Sequence, residues 1–124
     1  MAEQVKPLIL KDNKAKKEYT LEFNRDTIRF AEARGFIPDD VDKFPMTKIY
    51  EFFWLAFRMH HPSMSRANTD KIIDEDWGGI RNIPDGVLER LGQLYAAPFG
   101  ALADDETDEE KEEREKNRNV TVLL

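Results

Sequence analysis

At 124 residues the chain is sized for one domain, with a core that needs no covalent or metal staple. It has no cysteine, which excludes disulfides, thiolate metal sites and cysteine nucleophiles. The net charge of −6 is uneven: residues 104–119, DDETDEEKEEREKNRN, hold nine acids and four bases, so the rest is close to neutral and lacks the broad basic face of a nucleic-acid binder.

The N-terminus, MAEQVKPLIL, has no apolar run behind a basic region, so no signal peptide is expected. No stretch approaches the ~20 apolar residues of a membrane span. A soluble, cytoplasmic protein is the expectation.

In chain order, PLIL and EYTLEF flank the polar KDNKAKK and suit a hairpin. Tyr19, Leu21 and Phe23 alternate with polar residues and should face one way. An isolated hairpin is marginal, so this one must rest on something. Asn24 then caps a helix over RDTIRFAEARGF, and Gly35 ends it. IPDDVDKFP reads as a connection with two prolines. A second helix is predicted over 46–60, with Thr47 near its start and Pro62 as its stop. Ser65 caps a third, RANTDKIIDEDW, closed by Gly78 and Gly79. Pro84 and Asp85 open a fourth, DGVLERLGQLYAA, in which Val87, Leu88, Leu91, Leu94 and Tyr95 keep helical spacing. Pro98 must bend or break it, and PFGALAD allows another turn.

The predicted fold is therefore mainly α: a small N-terminal β-hairpin, then a compact bundle of four or five helices over residues 1–103. Residues 104–124 form an acidic tail with a short apolar terminus, VTVLL. That terminus could pair with a sheet edge or fray.

The stretch YEFFWLAFRMHH, residues 50–61, carries the strongest functional signal. On a helix, Ile49, Phe53, Ala56 and Phe57 form one stripe, and Tyr50, Trp54 and Phe57 a second about 100° away. Only Lys48, Glu51 and Arg58 interrupt the apolar surface. Such a helix is covered on all sides by its own domain, or partly by another chain. Tyr50, Phe53, Trp54 and Phe57 are the candidate partner-binding residues, because aromatic side chains bury much area with few rotors. His60 and His61 are adjacent, so they point too far apart to grip one ion, and no further histidine completes a site. They are expected at the wet end of the helix, near its C-terminal dipole. No metal and no cofactor is expected. WGGI lacks the spacing and lysine of a phosphate loop, and no activated nucleophile is evident. The chain reads as a binding protein and not an enzyme.

The order of VKPLILKDNKAKKEYTLEFNRDTIRFAEARGF, KFPMTKIYEFFWLAFRMHH and DGVLERLGQLYAAPFGAL resembles the tail assembly chaperones of long-tailed phages and prophages of Gram-positive bacteria. The resemblance spans about residues 5–103 and rests on segment order, not on a catalytic motif. It implies a protein that binds and solubilises the tape measure protein and helps recruit tail tube subunits. It also implies action in the host cytoplasm and absence from the mature virion. Self-association is a further open possibility. Two other readings stand beside it: a small regulatory or nucleic-acid-binding protein using Lys11, Lys14, Lys16 and Lys17 of the hairpin, or a structural tail component.

Overall fold

The computed structural model describes residues 5–100; the acidic run and VTVLL lie outside the described residues. Strands β1 (Leu8–Asp12) and β2 (Lys17–Leu21) form the antiparallel hairpin. Leu8 pairs with Leu21 and Leu10 with Tyr19, so the apolar side chains share one face. In the turn, Asp12 Oδ1 accepts the N–H groups of Lys14 and Ala15, both at 3.0 Å. Lys16 then takes the left-handed φ of 52° usually left to glycine.

Helix α1 (Arg25–Ala33) starts on a reciprocal cap. Asn24 Oδ1 accepts from Thr27 N–H and Thr27 Oγ1 accepts from Asn24 N–H, each at 2.8 Å. It ends where Gly35 adopts φ 82°. There Phe36 N–H returns to Ala31 O and Gly35 N–H to Glu32 O, which turns Phe36 into the core at 1% exposure.

The supposed connection IPDDVDKFP contains one helical turn, α2 (Asp40–Lys43). Its two prolines flank the turn without interrupting it. The central helix α3 runs Pro45–Phe57, not 46–60. Pro45 occupies the first helical position, where its missing N–H costs nothing, so Thr47 lies inside the helix. At the other end, the chain loosens into a turn after Phe57, with His61 N–H on Phe57 O at 2.7 Å.

The predicted third helix is two pieces. Helix α4 (Arg66–Lys71) is capped by Ser65 Oγ, which accepts from Asn68 N–H at 3.1 Å. It widens into a π-turn over Ile72–Asp76, closed by Trp77 N–H on Ile72 O. Helix α5 (Val87–Ala96) begins three residues after Pro84, and Pro98 tightens its end into a 3₁₀ turn over Ala97–Phe99. The mainly α architecture with an N-terminal hairpin is thus the observed one, with five α-helices among the described residues.

The core lies around α3. Phe52, Phe53, Leu55, Ala56 and Phe57 are all at most 4% exposed. Phe23, Phe36 and Tyr95 gather on Phe52, with ring centroids 5.3–5.9 Å from it. The hairpin finds its support on the same helix. Tyr19 lies 5.5 Å from Phe57, and Glu22 N–H donates to Ala56 O at 3.0 Å. No helix among the described residues is long and apolar enough to cross a membrane.

Candidate functional site

The four aromatic candidates divide into two pairs. Phe53 and Phe57 are 1% and 0% exposed, so they are core residues of this fold and cannot meet a partner directly. The cause is coverage from several sides: Trp77 on Phe53, with Tyr19 and His61 on Phe57. Tyr50 and Trp54 are half-buried at the edge of the core. Tyr50 donates its hydroxyl to Asp74 across the gap to the π-turn. That bond, with some burial and the charges of Asp74 and Asp70, pushes the phenol up to about 12. Trp54 donates Nε1–H to Met64 O at 3.0 Å.

The faces of Trp54 are also engaged, by cations. Its ring lies 6.0 Å from Phe30 of α1, and three arginines converge on the pair. The Arg58 guanidinium sits 3.7 Å from the Phe30 centroid, Arg66 5.6 Å from Trp54, and Arg34 5.6 and 5.0 Å from the two rings. The sequence carried a signal for this. Phe30 and Arg34, and likewise Trp54 and Arg58, are four apart on their helices, so each arginine belongs beside its ring. Crossing of the two helices brings Arg58 onto Phe30 and Arg34 onto Trp54.

The charged interruptions of α3 are absorbed in the same region. Glu51 is 8% exposed. It takes Lys48 Nζ at 3.1 Å and Arg34 at 3.8 Å. A buried carboxylate needs such partners. Asp70 lies beside Arg66, yet burial dominates and raises its carboxyl above the ordinary 3.8.

The histidines do not sit free at a wet helix end. His61 Nε2 accepts the backbone N–H of Thr20 at 3.0 Å, which fixes that nitrogen as unprotonated. Burial first, then the charge of His60, lowers its pKa from the ordinary 6.5. His60 Nε2 meets Glu22 Oε1 at 2.8 Å. Both imidazoles therefore clasp the hairpin to α3. Their adjacency sends them to Thr20 and Glu22, two residues apart on the same segment.

Large apolar side chains are exposed elsewhere. Ile37, Phe44 and Met46 are 54%, 58% and 73% exposed. They lie within the ten residues that lead from α1 through α2 into α3, of which 37–45 read from sequence as a plain connection and Met46 as the first residue of the next helix. KFPM, with Phe and Met flanking a helix-starting proline, was the signal available there. Asp39, Asp40 and Asp42 add carboxylates to this corner. A separate hollow of about 230 Å³ lies between the hairpin and the π-turn, with Tyr19, Ile72 and Trp77 in its walls and Lys11 and Lys14 at its rim.

A family profile, a domain of unknown function designated DUF5055, matches residues 1–122. The chain belongs to the DUF5055 family. No curated protein and no solved structure matches this DUF5055 chain.

Proposed function

We propose that this protein is a phage tail assembly chaperone that binds helical segments of the tape measure protein, keeps them soluble and helps recruit tail tube subunits. The observation that carries the reading is the exposed apolar corner at Ile37, Phe44 and Met46. Scattered exposed apolar residues are ordinary, but three large ones on one short segment form a handhold for another apolar surface. The carboxylates of Asp39, Asp40 and Asp42 suit a partner helix with basic residues flanking its apolar stripe. The resemblance of the segment order to that of the tail assembly chaperones supports the same reading. Action would be in the host cytoplasm, on the nascent tail, and not in the finished particle.

Co-expression with the tape measure protein tests the proposal. Its soluble fraction should rise, and a complex should be recovered that survives high salt, because buried apolar anchors dominate such binding. Equal insolubility with and without this protein, and no complex, would refute the function. A complex that dissolves steeply with salt and contains nucleic acid would favour the lysine-rich hairpin instead.

A further inference from the structure

The hollow between the hairpin and the π-turn is a space that the described residues build and do not fill. Leu10 and Tyr19 wall it on the hairpin side, Ile72 and Trp77 on the other, and it is partly open to solvent. Residues five apart on an α-helix sit about 140° apart round its axis, so a regular helix would not set Ile72 and Trp77 on one wall. The π-turn does so, with Trp77 N–H on Ile72 O at 3.0 Å. Such wide turns are rare and recur at functional sites. At about 230 Å³ the hollow is larger than the roughly 150 Å³ of an apolar cavity that admits benzene, so it has room for one aromatic side chain. Trp54 gives its Nε1–H to Met64 O, whereas the indole N–H of Trp77 has no acceptor among the described residues. A hydrogen-bond donor is thus left over in the wall.

The rim decides what such a side chain sits beside. Lys11 and Lys14 stand on the hairpin side and Asp76 on the π-turn side, all three exposed. Asp12 also borders the hollow, but its Oδ1 is taken by the Lys14 and Ala15 N–H groups. A lone anion or cation entering here meets a like charge, while an uncharged group flanked by one acid and one base meets both signs favourably. We propose that the hollow is a socket for one aromatic side chain of a partner helix, with an acid one turn to one side of it and a base one turn to the other. The identity of that partner, a helical segment of the tape measure protein, rests on the function proposed above; the chemistry of the socket does not. A ring seated between Trp77, Tyr19, Leu10 and Ile72 is an anchor of the kind that dominates binding energy. A socket for one side chain also fixes the register of a bound helix, which an open apolar corner does not.

The two tryptophans make the test direct, because one lines the socket and the other does not. The probe is an alanine-based helical peptide with a single phenylalanine, a glutamate one turn before it and a lysine one turn after. It is titrated into the full-length chain, and the indole N–H signals of Trp54 and Trp77 are followed by NMR. The Trp77 signal should shift saturably and the Trp54 signal should stay. The same peptide with alanine in place of its phenylalanine should leave both signals unmoved. Ile72→Asp, which sets a charge in the apolar wall, should abolish the Trp77 shift. Lys14→Glu changes an exposed rim residue and serves should Ile72→Asp fail to fold; it should weaken the peptide about threefold, the scale of one screened surface charge pair. An unmoved Trp77 signal, an equal shift from the peptide without phenylalanine, or equal shifts of both indoles would each overturn the socket, whether or not a tape measure complex forms. A saturable Trp77 shift in a protein that recovers no tape measure complex would uphold the socket and sink the chaperone function alone.

Discussion

The two ends of α3 use the same residue types for opposite purposes. Near its C-terminus Phe53 and Phe57 are 1% and 0% exposed, while at its start Phe44 and Met46 are 58% and 73% exposed. Coverage makes the difference. The hairpin, α4 and α5 all meet the body of α3, whereas its start has the one-turn α2 beside it. Composition therefore does not separate core from binding surface. What separates them is how many later elements return to cover each turn of the helix.

The largest effect should come from the covered end. Phe57→Ala removes a ring that touches Tyr19, Phe53 and His61 at once. It should cost on the order of 3–5 kcal/mol, because the hole cannot be refilled by side chains already locked around it. Phe53→Ala should behave alike. Denaturant melts give the answer, and a loss under about 1 kcal/mol would break the contrast at its strong end.

Much of this was legible in the sequence. The alternation in EYTLEF, the Asn24 and Ser65 caps and the Gly35 stop are local rules, and local rules can be read residue by residue. The central place of α3 followed from its all-round apolar surface. The division of its aromatics did not, because periodicity gives faces and not neighbours. Tyr50 and Trp54 looked like free anchors, yet Asp74 occupies the first and Arg34 and Arg66 the second, all distant in sequence. The π-turn at Ile72–Asp76 was hidden for a related reason. It is seated by the buried Ile73 and by Gly79 N–H on Ile73 O, and not by helix propensity.

A middle-sized effect should come from the clasp that closes the covered end. His61→Ala leaves the Thr20 N–H without its acceptor, at about 1–3 kcal/mol. The same group makes the clasp sensitive to acid. Its folded pKa lies below the unfolded 6.5, so the unfolded chain binds the proton more readily. The His61 contribution is thus complete above about pH 6.5 and fades as pH falls through the lower folded value. His61→Ala should flatten that part of the stability–pH curve. An unchanged acid slope would show that the acid sensitivity of the clasp does not come from His61.

The smallest effect on stability should come from the open end, and there the functional claim is most exposed. Phe44→Ser with Met46→Ser replaces two side chains that face solvent. Little apolar burial is lost, so the melt should move by no more than about 0.5 kcal/mol. The backbone at the corner should hold, since Lys48 N–H on Phe44 O and Pro45 at the first helical position do not depend on those side chains. Binding should respond quite differently. If the corner is the handhold, the double variant should fold normally and recover at most a tenth of the tape measure complex, a loss equivalent to about 1.4 kcal/mol or more. Full recovery of the complex by a folded double variant would remove the corner from the mechanism. A large stability loss would instead mean that Phe44 and Met46 are covered in solution, and the two ends of α3 would no longer differ.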